Sequence, residues 1–371
     1  MSLKHIHIVS FDVPFPPNYG GVIDVYFKIK ALAAEGVKIQ LHCFEYGRAE
    51  SRELESYCEK VYYYKRDMSR RFLLSSLPYI AVTRSSEKFM EHLLKDSHPI
   101  LFEGLHSCFH LSDPRLTGRK KYVRTHNIEH DYYSSLASIE KSFFRKTYFK
   151  QEAKKLKRFE KTLALADAIL AISRADEEEL MLRYKNVKHV SAFHPNEMVH
   201  IKPGSGTFAL YHGNLEVGEN NQAAMFLAEE VFAGSSIPLI IAGKKPSAEL
   251  KMLAGRHPNI TLKANIPTHE IDALIHDAQI NILPTFQATG IKLKLLAALY
   301  KGRHCIVNTP MVANTGLETL CIVRDDAASM KEAVEMYFRK PFEVSEVIRR
   351  EELLYPGFSN SQSVKKLMSL L

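Results

Sequence analysis

The segment His5–Phe11, HIHIVSF, running into the loop Pro14-Phe15-Pro16-Pro17-Asn18-Tyr19-Gly20-Gly21, decides how this chain is read. It is an apolar run of strand length that ends in proline and glycine. Asp24–Glu35 then has helical spacing and stops at Gly36, a good helix terminator. Val37–Phe44, VKIQLHCF, alternates and reads as a second strand. Together they make one βαβ unit. Strands alternating with helical segments imply a parallel sheet with helices on both faces.

Outward from this unit the pattern continues. Lys60–Tyr64, Ile100–Glu103 and Lys121–Thr125 are strand candidates. A long helix is expected over Ile139–Ala166 and a strand over Ala168–Ser173. Ser173 is placed to cap a helix through Tyr184, since Asp176–Glu179 sets carboxylates against the positive end of the helix dipole. Pro195, Pro203, Gly204 and Gly206 mark His194–Gly206 as a linker. A second series follows, with strands at Phe208–His212, Pro238–Ala242, Asn259–Lys263, Gln279–Leu283 and His304–Asn308. Its helices are expected at Asn220–Phe232, Ala248–Ala254, His269–Ala278, Ile291–Lys301 and Ser329–Arg339. The expectation is an α/β protein of two Rossmann-like domains with parallel sheets facing across a cleft. Residues 1–200 form the first domain and 206–350 the second, with a terminal helix in 355–371 packing back on the first. Ligands of such sheets sit beyond the carboxyl ends of the strands.

Composition agrees with this scale. A chain of 371 residues exceeds the usual size of one hydrophobic core. With 46% hydrophobic, 25% charged and 10% aromatic residues it resembles an ordinary soluble enzyme. No apolar stretch approaches the ~20 residues of a membrane span, and no signal-peptide core follows Met1. Five scattered cysteines without a C-x-x-C pair suggest neither a disulfide framework nor zinc, so a reduced, cytoplasmic setting is expected. The net charge of +8 suits an anionic partner such as a nucleotide diphosphate, anionic lipid or nucleic acid; a generally basic surface is the plainer alternative.

Two loops offer binding chemistry. Gly20 and Gly21 let the backbone approach a ligand, beside the free N–H groups of a helix start. The loop lacks G-x-G-x-x-G, and a tight turn explains it equally well. The second loop, Pro284-Thr285-Phe286-Gln287-Ala288-Thr289-Gly290, leads into Ile291-Lys292-Leu293-Lys294. Backbone donors, a positive dipole end and the Lys292 ammonium converge there as a diphosphate site would require. A solvated amphipathic helix with outward lysines fits the same residues.

The order of these motifs resembles the group 1 glycosyl transferases, retaining nucleotide-sugar enzymes of the GT-B fold. The likeness rests on the opening strand with its Gly-Gly loop, Arg124-Thr125-His126-Asn127-Ile128-Glu129, and Phe159-Glu160 with Ala166–Ser173. It continues through Tyr211-His212-Gly213-Asn214-Leu215, Asn220-Asn221, Ala242-Gly243-Lys244 and Thr289–Lys294. The resemblance implies hexose transfer from a nucleotide diphosphate sugar to a glycan or lipid-linked acceptor, with retention, no metal and no cofactor. It places Gly213, Asn214, Lys244, Thr289, Gly290, Ile291, Lys292 and Lys294 at the donor. Gly20 and Gly21 face the donor phosphate and acceptor, and His126 lies near the reacting sugar. A lone histidine is otherwise more often structural.

The chain also departs from the family. Two glutamates eight residues apart are replaced by Thr289 and Ala297, and the basic pair after the second half's first strand is missing from Asn214–Asn221, which holds Glu216 and Glu219. Either lysines supply the phosphate charge instead, or the protein is a non-catalytic GT-B-like binder. Between Glu140 and Lys161, basic residues interleave with Phe143, Phe144, Tyr148, Phe149, Leu156 and Phe159. Phe144, Tyr148, Leu156, Phe159 and Leu163 share one helical stripe. That pattern suits either peripheral contact with an anionic membrane or a core stripe with a solvated basic face. No nucleic-acid motif accompanies the charge, so no nucleic-acid partner is expected.

Overall fold

The computed structural model describes residues 4–140, 142–286, 293–313 and 315–371. The chain divides into two compact units, Met1–Pro195 with Asn360–Leu371, and Asn196–Ser359. The first unit holds β1 (His5–Ser10), β2 (Lys38–Glu45), β3 (Lys60–Lys65), β4 (Ile100–Glu103), β5 (Lys121–Thr125), β6 (Ala168–Ala171) and β7 (Val187–His189). Their order is β3-β2-β1-β4-β5-β6-β7, and every pairing is parallel. The period of two along β1 explains its apolar run. Ile6 and Ile8 pack on the side of Val22, Val25 and Ile29, whereas Val9 packs with Phe89, Phe102 and Leu156. Each such fully buried side chain contributes roughly 1.5–3 kcal/mol relative to exposure.

The helix Gly20–Ala34 follows β1 and ends before Gly36, whose φ of 77° admits the left-handed turn. Val364 and Leu367 of the terminal helix Asn360–Met368 join the same core. Asn360 anchors the return of the chain, its Nδ2 donating to the His194 carbonyl at 2.8 Å and its Oδ1 accepting from the His194 N–H at 3.1 Å.

The second unit repeats the plan with β8 (Ala209–Asn214), β9 (Leu239–Lys244), β10 (Ile260–Ala264), β11 (Ile280–Ile282), β12 (His304–Val307) and β13 (Ile322–Val323). The order is β10-β9-β8-β11-β12-β13, again all parallel. In both sheets the first strand is internal and the strand order reverses beside it. The carboxyl ends at β1/β4 and at β8/β11 are therefore the topological switch points where such sheets take ligands.

Several expectations need correction. The helix expected over Ile139–Ala166 is found over Phe143–Phe159, followed by a 3-10 turn at Glu160–Leu165, and a separate, unexpected helix Glu129–Ile139 pairs with it as a helical hairpin. Glu140 leaves helical geometry (φ −70°, ψ 127°), and its carboxylate accepts the Ser142 N–H at 2.9 Å. The apolar stripe is also divided: Leu156, Phe159 and Leu163 are buried, but Phe144 is 84% exposed. The expected linker His194–Gly206 holds the division between the units, at Pro195/Asn196, and is irregular apart from one bridge, with several of its later residues anchored on the second unit. The His200 N–H donates to the Tyr300 carbonyl at 2.7 Å, Gly204 bridges Phe342, and a Cβ at Gly206 would lie 2.4 Å from the Asp277 carbonyl. Tyr355-Pro356-Gly357 does not break the chain, because helix Val344–Phe358 runs through Pro356. Residues 355–371 thus span two helices. The strands β7 and β13, of three and two residues, are too short for periodicity to register.

Candidate functional site

At the carboxyl ends of β4 and β5 the first unit gathers a buried charge network. Asp24 and Lys28, one turn apart, lie on the core face of helix Gly20–Ala34. The Lys28 ammonium donates to Asp24 Oδ2 at 2.9 Å and to the two Glu103 oxygens at 2.7 and 2.8 Å. The Arg124 guanidinium donates to Asp24 Oδ1 at 2.9 Å and Oδ2 at 3.2 Å. Asp24, Glu103 and Arg124 are fully buried and Lys28 nearly so. Burial pushes the Asp24 carboxyl up, but Arg124 and Lys28 outweigh it and hold the group well below the usual range. For Glu103 burial likewise raises the carboxyl, and Lys28 with the His126 hydrogen bond brings the balance below normal.

His126 completes the network. Its Nε2 is 3.1 Å from Glu103 Oε2. An ionised carboxylate only accepts, so Nε2 donates to it. The ring's Nδ1 is buried, 3.9 Å from Asp24 Oδ2, and has no hydrogen-bond partner among the described residues. Phe11 packs edge-on against the ring. Ligand atoms of Asp24, Glu103 and His126 come within 4.8 Å of one another, a spacing a metal could use. Here, however, Lys28 and Arg124 already answer both carboxylates, and a divalent cation would meet two positive charges. The group is an ion network.

Beside it, Glu129 opens helix Glu129–Ile139, with Oε1 3.7 Å from His106 Nδ1. Burial, then the neighbouring Glu160, pushes the Glu129 carboxyl up to about 8. Burial, then Arg84, pushes His106 well down. Burial thus disfavours the charged form of both groups.

In the second unit the strand ends also converge. Lys294, in helix Leu293–Lys301, donates to Asn220 Oδ1 at 3.0 Å, and its ammonium stands 5.2 Å from the Tyr211 ring centroid. Asn220 Nδ2 donates to the Asn214 carbonyl at 3.0 Å. A Cβ on Gly213 would meet the Asn220 side chain at 3.3 Å, and one on Gly243 would fall 2.1 Å from the Gly213 carbonyl. These glycines let β8, β9 and the next helix close on one another. The buried His212 is held at about 3 by burial, then by Lys294 and Lys301, so it is uncharged.

Gly213, Asn214 and Lys294 are thus brought into one cluster, and Lys244 is exposed at the end of β9. Thr289, Gly290, Ile291 and Lys292 lie outside the described residues. Ala297 packs against the apolar cluster of Leu210, Ala242, Ile275 and Ala278. Glu216 pairs with Lys245 at 2.8 Å, and Glu219 accepts from the Thr285 hydroxyl beyond β11. Gly20 and Gly21 open their helix; Gly20 has open space around it, and a Cβ on Gly21 would meet Phe11 Cζ at 2.6 Å. Sequence reasoning singled out His126 but missed Asp24, Lys28 and Glu103. The available signal was a charged pair at i, i+4 facing inward on an otherwise apolar helix.

Both units are Rossmann-like parallel sheets, and the chain has the GT-B fold, the architecture of a class of glycosyltransferases. TarM superposes with a TM-score of 0.71 at 10% identity, covering 100% of this chain and 99% of TarM. A mutant of S. aureus TarM in complex with fondaparinux, α-GlcNAc-glycerol and UDP gives 0.70 at 10% identity, with 99% of each chain covered. The lipopolysaccharide outer core galactosyltransferase WaaB gives 0.65 at 13% identity, also with 99% of each covered. In sequence, an uncharacterized 44.6 kDa protein from the cps region of Klebsiella pneumoniae is 26% identical over 352 residues, 90% of each chain. No protein-family model matches.

Proposed function

We propose that this protein transfers a hexose from a nucleotide diphosphate sugar to a glycan or lipid-linked acceptor, with retention and without a metal or cofactor. The observation that supports it is the Lys294–Asn220–Asn214 cluster beside Gly213, at a switch point of a GT-B chain. It ties two motifs distant in sequence into one cluster that carries a positive charge. As the nucleotide diphosphate leaves, negative charge grows on its phosphate oxygens. Lys294, with Lys292 and Lys244, would stabilise that charge most strongly in the transition state. Thr289, Gly290 and Ile291 would line the sugar, and Gly20 and Gly21 the acceptor side. His126, whose Nδ1 has no partner among the described residues, would hydrogen-bond a sugar or acceptor hydroxyl. The likeness to a galactosyltransferase and to a protein of a cps region supports a cell-surface glycan as acceptor.

One observation favours a second reading. Ala297, in place of an expected carboxylate, packs into apolar surroundings, as a binding protein without catalysis would allow. A panel of nucleotide sugars incubated with the protein, followed by NMR of the anomeric proton, separates the two. The transferase reading expects slow release of nucleoside diphosphate and a retained anomer from one donor. Binding without turnover of any donor, with or without glycan acceptors, would overturn it in favour of the second.

A further inference from the structure

The helical hairpin of the first unit presents an aromatic tip on a basic shaft that the catalytic reading does not use. Phe143 and Phe144 begin helix Phe143–Phe159, and they are 76% and 84% exposed. Monomeric surfaces rarely leave two adjacent phenylalanines so bare without a use. Further along, the helix turns Leu156 and Phe159 into the core, so its distal end is fixed while its first turns project. The charge on the shaft is one-sided. Glu152 and Glu160 are buried, with Glu152 paired to Lys155 and Glu160 to His130 and Arg183. Lys150, Lys154, Lys157 and Arg158 remain exposed.

A second element adds to this face. Leu74 is 93% exposed at the end of the turn Arg70–Leu74, and Lys155 Nζ donates to the neighbouring Leu73 carbonyl at 3.0 Å. Arg70 belongs to the same turn, whose Arg71 pairs with Asp67 at 2.9 Å. Bare apolar groups flanked by unopposed cations match the boundary of an anionic bilayer, where rings and leucines enter the acyl edge and ammonium groups meet lipid phosphates. We infer that the Phe143–Phe144 tip and the basic shaft dock this protein on anionic phospholipid membrane. A second copy of the chain fits less well, since two such surfaces would bring like charges together. No helix among the described residues is long and apolar enough to cross a membrane, so the contact is peripheral.

The test uses the full chain and two vesicle types, phosphatidylcholine alone and phosphatidylcholine with phosphatidylglycerol, read by co-sedimentation. The protein is expected on the anionic vesicles only, with binding that falls as salt rises. Phe143→Ser/Phe144→Ser should cut partitioning about tenfold or more, and Lys150→Glu/Lys154→Glu should reduce it comparably. All four positions are exposed, so unchanged thermal melting checks that the variants fold. Absence of binding to anionic vesicles at low salt would overturn the inference, as would binding unaffected by both double variants. Sedimentation velocity covers the other occupant: dimers abolished by the phenylalanine variant, with vesicle binding unmoved, would assign the tip to self-association instead. Donor turnover is not needed, so the outcome is independent of the transferase reading.

Discussion

Replacing Lys28 with methionine tests the buried ion network, because it deletes one charge at nearly constant shape. Lys28 is 1% exposed and lies 2.7–2.9 Å from oxygens of both Asp24 and Glu103. At an effective dielectric of about 20, each contact is worth roughly 6 kcal/mol of Coulomb attraction before desolvation is subtracted. Measured losses on breaking one partner of a buried pair are smaller, about 3–5 kcal/mol, and that is the expected cost here. The loss falls mainly on Glu103. Asp24 keeps its two Arg124 bonds, whereas Glu103 retains His126 at 3.1 Å. Urea denaturation of Lys28→Met, Glu103→Gln and the double variant closes a cycle. The double variant should recover at least about 2 kcal/mol relative to the sum of the singles. pH adds a second check. A carboxyl held below its ordinary value contributes stability above that value and loses it as pH falls through the lowered one. Lys28→Met should therefore lose part of this acid dependence. Additive singles, or a Lys28→Met protein as stable as the original, would refute the network.

Two further outcomes follow from the geometry. Glu129, raised to about 8, binds its proton more tightly folded than unfolded, so stability should be highest below pH ~4.5 as far as this group goes and decline toward pH 8, by a few kcal/mol at about 1.4 kcal/mol per unit; Glu129→Gln should flatten that decline in urea melts taken across the range, and an unchanged slope would remove the group as its source. Gly243→Ala should lower stability by about 1–3 kcal/mol in thermal melts, since its Cβ would fall 2.1 Å from the Gly213 carbonyl across the β8–β9 pair, and a neutral substitution would mean that this close approach relaxes freely.

Much of the architecture was legible because buried parallel strands need apolar runs, and these stand out. Ile100–Glu103 and Lys121–Thr125 are strands at the bounds their composition suggests. The first arm of the hairpin was not legible: Glu129–Ile139 mixes polar and tyrosine residues without a clear apolar stripe, and only its packing on Phe143–Phe159 shows it as a helix. Pro356 misled in the opposite direction: helix Val344–Phe358 continues through it, although a proline there forgoes its own N–H bond to the carbonyl four residues back. At the site, Gly213 and Gly243 entered only through the family resemblance, and the close approach they allow shows in the structure. Asp24 and Lys28 could not be read from the sequence, because a charged pair inside an apolar helix acquires meaning only when Glu103 and Arg124 arrive from β4 and β5. Tertiary contact, not spacing, makes that network.

The central claim is that the second unit receives a nucleotide diphosphate at the start of the Lys294 helix. Calorimetric titration of UDP and GDP into the protein, and into Lys292→Ala and Lys294→Ala, measures it directly. One of the two diphosphates is expected to bind, with a loss of ~1.5–3 kcal/mol in each variant. No binding at millimolar nucleotide, or equal affinity in all three proteins, would contradict it.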